Sequence, residues 1–199
     1  MIKKFEDVTD FHGHICPGSA IGYKAAKIAA EKLNIGLSKD EEILAIVEND
    51  SCAVDSIQVV LSCTFGKGNL IFKDYGKGVY TIIDRKTNKS IRLSMKKSFN
   101  PMKLNPKFTE LKEKERNKNI TNEEKNLLQK LTSEICDYII NMPDEDIFSI
   151  EEVEIDIPEK ANIYETLACD ECGEMTSRHR IKDYDKKNLC IPCYKNLKR

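Results

Sequence analysis

The sequence predicts an α+β core, with helices packed on a mainly antiparallel sheet, followed by a small cysteine-rich module. Three observations carry this prediction. Helix-like and strand-like apolar patterns are mixed without the regular strand-helix alternation of a parallel α/β fold. The segments LIFKDY, VYTIID and SIRLSM follow one another across short polar breaks, as the strands of an antiparallel meander do. Beyond Pro158 the composition changes, and two C-x-x-C pairs follow in a polar setting.

Each element has its own signal. PGSAIGYKAAKIAAEKLN (17–34) is alanine-rich, with Ile21, Ala25, Ile28 and Ala29 on helical spacing, Pro17 at the permitted first position and Gly36 just past the end. EILAIVEN (42–49) is a continuous apolar run too short for a helix of its own, which predicts an interior strand. Ala53, Val54, Ile57, Val60 and Leu61 return to helical spacing behind an Asp50 or Ser51 cap. After the three meander segments, Pro101 and Pro106 mark a break. Thr121 to Glu124 then has the form of a capping box, and Leu127, Leu128, Leu131, Ile135, Tyr138, Ile139 and Met142 keep one face of a long helix apolar. Cys136 on this helix reads as a packing residue. Val153, Ile155 and Ile157 alternate with acidic residues, which predicts a last strand with one wet face. The domain boundary falls between Glu159 and Thr166, giving a core of residues 1–160 and a module of 161–199.

Composition narrows the function classes. Apolar residues make up 40% and charged residues 33% of the chain, which is globular with a heavily charged surface. A formal net charge of -1 lacks the global basicity of a nucleic-acid binder. Residues 140–160 are acidic, and Lys195, Lys198 and Arg199 make only a short basic end. The N-terminus has no signal-peptide pattern, and no window offers the roughly 20 apolar residues of a membrane span. A soluble, cytoplasmic protein without a membrane partner is expected. In that compartment thiols stay reduced, so the eight cysteines read as metal ligands, reactive thiols and small buried residues rather than disulfides.

Cys169-x2-Cys172 and Cys190-x2-Cys193, 17 residues apart, have the spacing of two knuckles that bring four thiolates to one tetrahedral Zn2+. Such a site is closed and structural, and a module of about 35 residues needs the metal to fold. His179 reads as a surface residue. Arg178, Arg180, Lys182 and Tyr184 form a modest basic patch, but acidic neighbours argue against strong phosphate binding.

FHGHICPG (11–18) is the second concentration of chemistry. If residues 12–16 are extended, His12, His14 and Cys16 face the same side. Cys16 also precedes the Pro17 helix, whose free amides stabilise a thiolate. ENDSCAVDS repeats the arrangement with Cys52 at a helix start between carboxylates, and that helix ends in CTFGKGN. This turn is not a P-loop, although Lys67 is placed to meet an anion or a carboxylate. Taken singly, Cys52 and Cys63 suit small core positions equally well, and the histidines suit backbone caps. Three such clusters at element ends point instead to a site.

FHGHICPGSAIGYKAA, ENDSCAVDSIQ and CTFGKGNL, with Asp74 to Lys77, closely resemble the FmdE family, which is named for formylmethanofuran dehydrogenase. The terminal CDECGE and LCIPCY resemble the zinc finger appended to some of its members, and locally the fingers of TraR/DksA factors. The resemblance spans nearly the whole chain. It implies a dimerising α+β core, a treble-clef-like zinc finger, and association with the molybdenum or tungsten enzyme that reduces CO2 onto methanofuran in methanogenic archaea. Carried over by position, it implies a core pocket of His12, His14, Cys16, Cys52, Asp55, Cys63, Lys67 and Asn69, with His14, Cys16 and Cys63 holding a second transition metal. The chain shows no ferredoxin-type cysteine run and no nucleotide fingerprint, so turnover of its own stays open. Three functions compete: a metal- or thiol-based accessory to the dehydrogenase, a regulator whose finger contacts nucleic acid or RNA polymerase, and a purely structural component of the complex.

Overall fold

The computed structural model describes residues 2–197, so Lys198 and Arg199 of the basic end lie outside the described residues. The chain divides into two compact units, one ending at Lys160 and the other starting at Ala161. Among the described residues no helix is long and apolar enough to cross a membrane.

The first unit runs α1 (Phe5–His12), α2 (Pro17–Leu33), β1 (Ile43–Val47), α3 (Ala53–Leu61), β2 (Leu70–Phe72), β3 (Val79–Asp84), β4 (Lys89–Met95), α4 (Pro106–Arg116), α5 (Asn122–Asn141), the single turn α6 (Asp144–Ile147) and β5 (Phe148–Glu152). Its strands form one sheet in the order β2-β1-β3-β4-β5. Three of the four pairings are antiparallel, as expected for this fold class.

The exception corrects the meander. β2 pairs with β1 in parallel, Ala45 opposite Leu70, and does not follow on to β3. The reason is α3: a parallel neighbour needs a crossover, and the helix between β1 and β2 is that crossover. β1 is buried along its whole length because both its faces are covered, which is why it reads as an unbroken apolar run. Ala45 and Val47 join Tyr80, Ile82, Ile91 and Leu93 against the helices, while Leu44, Ile46 and Ile83 form a second cluster on the other face.

That second face explains another correction. The last strand is Phe148–Glu152, paired with β4, not a strand centred on Val153 to Ile157. Ile155 and Ile157 instead pack across Leu44, Ile46 and Ile83. An extended segment laid over a sheet has the same two-residue period as a strand in it, so alternation alone could not separate the two.

Two helices escaped the sequence reading. α1 is short and starts with Glu6 and Asp7 in its first turn, and it stops at Gly13, whose φ of 85° is readily reached without a Cβ. α4 begins where a break was expected: the Asn105 side chain accepts N–H donations from Lys107 and Phe108, and Pro106 occupies the first helical position. The capping box of α5 is formed as expected, with Glu124 N–H donating to Thr121 Oγ1 at 3.2 Å and Thr121 N–H to Glu124 Oε2 at 3.0 Å. Its other end is held by the buried Lys24, which donates to the carbonyls of Ile140 and Met142 and pairs with Asp144 at 2.8 Å.

α2 is the central helix. Ala20, Ala25, Ala26, Ile28 and Ala29 are buried, and small side chains let neighbouring helices approach. The approach is closest at Gly22, where an added Cβ would sit 2.1 Å from the Ala53 carbonyl oxygen.

The second unit is two hairpins and a helical turn: β6 (Thr166–Ala168) with β7 (Met175–Ser177), β8 (Lys182–Tyr184) with β9 (Lys187–Leu189), and α7 (Ile191–Asn196). Its small core is Cys169, Leu189 and Cys190, with Cys193 and Tyr194 against them.

Candidate metal centres

The two cysteine pairs of the second unit converge. The four thiol sulfurs of Cys169, Cys172, Cys190 and Cys193 lie within 4.8 Å of one another. The first knuckle turns at Gly173, whose φ is 76° and whose N–H donates to the Cys169 carbonyl at 2.8 Å. The second opens α7 with Pro192 inside it. The backbone N–H of Cys190 donates to Cys169 Sγ at 3.3 Å. Donations of this kind from the Cys172 and Cys190 amides pull the Cys169 thiol down to about 6, favouring the thiolate that a metal needs. His179 stays out of this cluster: its Nδ1 meets Ser177 Oγ at 2.9 Å and its ring stacks on Tyr164. The four-cysteine cluster has the donor set and geometry to hold a metal ion such as zinc.

The core cluster differs from its sequence-based expectation. Residues 12–16 are not an alternating strand. His12 is the last residue of α1, Gly13 reverses the chain, and Cys16 is the N-cap of α2. What brings His12 and Cys16 together is therefore a helix end folding back on the next helix start. His12 Nδ1 meets Asp55 Oδ2 at 2.7 Å, and its Nε2 lies 3.8 Å from Cys16 Sγ. Asp55, in the first turn of α3, also accepts from Gln58 Nε2 at 3.2 Å and so holds the imidazole in one orientation. Cys52 caps α3 from the other side, and donor atoms of His12, Cys16 and Cys52 all lie within 4.8 Å of one another. Cys16 Sγ accepts the Ser19 N–H at 3.4 Å. Burial and the neighbouring Cys16 push the Cys52 thiol above its ordinary value.

The trio named from the resemblance, His14, Cys16 and Cys63, is not what the fold assembles. His14 is exposed and stacks on the His12 ring at 4.3 Å between centroids, beside the cluster rather than in it. Cys63 lies beyond the opposite end of α3, fully buried, its S–H donating to the Ile43 carbonyl. Burial pushes its thiol up to about 12, the state of a packed core cysteine rather than a ligand. Lys67 and Asn69 sit at that same far end. Lys67 Nζ donates to the Ser38 carbonyl at 3.0 Å and to Ser62 Oγ at 3.3 Å. Buried Asn69 donates to the Ile43 and Asp40 carbonyls and to Ser38 Oγ, and accepts from the Thr64 N–H. These two residues fasten the loops at the end of α3.

Two clefts reach the core cluster. One, of about 530 Å3, is lined by His14, Cys16 and Pro17 on one wall and by Lys112, Lys125 and Gln129 of α4 and α5 on the other. The second, of about 320 Å3, is lined by His12, Asn49, Cys52, Asp55 and Phe72 among others. Lys112, Lys125 and Gln129 were missed from sequence because they come from segments read only as a break and as a solvated helix face.

Residues 11–149 match the family described as FmdE, molybdenum formylmethanofuran dehydrogenase operon. The chain belongs to this FmdE family. The FmdE match takes in the whole core cluster and ends before the four-cysteine module. A crystal structure of an FmdE-like protein of tungsten formylmethanofuran dehydrogenase, from Syntrophus aciditrophicus, is similar, with a TM-score of 0.61 and 26% identity over 96% of this chain and 90% of that one. That FmdE-like likeness extends past the core into the module. A protein of Archaeoglobus fulgidus named "Probable S-adenosyl-L-methionine-binding protein" is 35% identical over 193 residues, 92% of this chain. The chain spans half the length of that relative.

Proposed function

We propose that this protein is a metal-binding accessory of a molybdenum or tungsten formylmethanofuran dehydrogenase. In this reading His12, Cys16 and Cys52 hold a transition metal in the core, and Cys169, Cys172, Cys190 and Cys193 hold a structural Zn2+. The observation that carries it is the core cluster: three soft donors from three separate helix ends converge where two clefts meet. Three protein ligands leave a tetrahedral ion one open position, which a small ligand entering by either cleft can take. The four-cysteine set is closed and leaves none. Asp55 serves as the partner that orients His12 and raises its basicity as a ligand. Family membership supports the link to the dehydrogenase, and a homodimer is the assembly proposed for it. The ligand in the Archaeoglobus relative's name is not carried over, since half of that protein lies outside the match.

Metal content per chain, by elemental mass spectrometry on protein purified anaerobically without chelator, tests the reading. Two equivalents are expected, falling to one in Cys16→Ser and to one in the paired Cys169→Ser, Cys172→Ser variant. A single equivalent that survives Cys16→Ser would overturn the core metal. Co-purification with the dehydrogenase tests the partnership, and light scattering tests the dimer.

A further inference from the structure

We propose that Cys16 and Cys52 are a redox modification site, a dithiol that closes reversibly to an intramolecular disulfide. Their sulfurs lie within 4.8 Å of each other. Each cysteine caps a helix, Cys16 for α2 and Cys52 for α3, and the two helix starts are pressed together by glycines. A Cβ at Gly18 would stand 3.1 Å from Cys52 Cβ and 3.8 Å from Cys16 Sγ, so both side chains lie over the same turn of α2. A disulfide requires sulfurs about 2 Å apart and Cα atoms within about 7 Å. Side-chain rotation with a small shift of one helix start covers the remaining gap. Both thiols are also reachable, Cys16 from the larger cleft and Cys52 from the smaller. Cys63 and Cys136, in contrast, are sealed in the core.

The reaction needs a two-electron oxidant such as hydrogen peroxide. Two S–H bonds and the O–O bond break, one S–S bond forms, two electrons pass from the sulfurs to peroxide, and two waters leave. A dithiol reductant reverses it by exchange. Disulfides in a reducing compartment are of this transient, regulatory kind. The consequence for regulation rests on the metal reading above: the disulfide takes two of the three core ligands and leaves His12 alone, so oxidation empties the site.

The test uses the full chain, reduced under nitrogen, treated with one equivalent of hydrogen peroxide, alkylated and digested with trypsin. A crosslink between peptides 5–24 and 40–67 is expected, reversed by dithiothreitol, lost in Cys16→Ser and in Cys52→Ser, and kept in Cys63→Ala. Circular dichroism confirms that each variant is folded. Recovery of Cys16 and Cys52 both alkylated, or of an oxygenated Cys16 without a crosslink, overturns the proposal. Zinc release, followed with a chromogenic chelator, separates the two readings. One core zinc freed per crosslink supports both, whereas a crosslink in a chain that never held a core metal supports the dithiol and refutes the metal.

Discussion

Gly22→Ala is the sharpest test of how the core site is built. The added methyl carbon would stand 2.1 Å from the Ala53 carbonyl oxygen, 2.6 Å from its Cα and 2.7 Å from its carbonyl carbon. Unbonded carbon and oxygen settle at about 3.3 Å or more, so α3 must retreat by roughly 1 Å. The obstacle is backbone, not the tip of a side chain that can swing away. Alanine in a helix interior returns about 1 kcal/mol over glycine. Overpacking of a tight core costs about 1–3 kcal/mol and sometimes more, and a backbone obstacle belongs at the upper end. The net expectation is a loss of about 2 kcal/mol. With a urea m-value of about 2 kcal/mol/M, the midpoint followed by far-UV circular dichroism falls by about 1 M. The same retreat pulls Cys52 from Cys16, so core metal affinity falls with stability while the four-cysteine module keeps its ion. A Gly22→Ala midpoint equal to or above that of the parent would refute the claim that glycine holds the two helix starts together.

Other perturbations act on single groups. Asp55→Asn leaves the three core donors in place but weakens the hold on His12, and core metal affinity measured by competition with a chelator is expected to fall about 10–100-fold. The Cys63 and Cys136 thiols are pushed up to about 12 by burial, against 9.0 for a free thiol. The unfolded chain therefore loses these protons first, and stability should fall as pH rises from about 9 towards 12. A urea-midpoint series over that range should be flatter in Cys63→Ala. Glu42 is held down at about 2 because the N–H groups of Lys39 and Asp40 donate to its carboxylate. Its contribution is present above about 4.5 and lost as pH falls towards 2. Glu42→Gln should therefore lower stability at pH 7 by about 1 kcal/mol and leave the pH 2 value unchanged.

Much of the fold was legible because its signals are local. The cap of α5, the apolar run of β1, the proline that opens α2 and the two C-x-x-C knuckles each need only a few neighbouring residues to be read. What escaped depends on partners distant in sequence. Nothing near β2 says that it lies parallel to β1, because that follows from where α3 returns the chain. Nothing near Ile155 and Ile157 separates a paired strand from a segment covering one. At the site, FHGHICPG announced its residue types but misled on geometry. Treating it as extended joined His14 to Cys16, whereas Gly13 in its left-handed conformation ends α1 and turns His12 towards Cys16. The Asn105-Pro106 start of α4 was legible in principle, since asparagine before proline is a cap signal as well as a break.

The two cysteine clusters follow opposite physical logics. In the module the metal is the core: besides two of its ligands, the buried cluster contains one residue, Leu189, too little to stabilise some 35 residues without an ion. All four positions of that ion are filled by sulfur, so the module is rigid and chemically silent. In the first unit an extensive apolar core stands without any ion, which frees His12, Cys16 and Cys52 from a structural duty. Three donors, one orienting carboxylate and two clefts are more than stability requires. Helix ends pressed together through Gly18 and Gly22 are what such a site needs, because they set donors from separate elements on a scaffold that α2 keeps rigid. It follows that substitutions in the module should act through folding, whereas those at His12, Cys16, Cys52 and Asp55 should act on binding while the core stays folded.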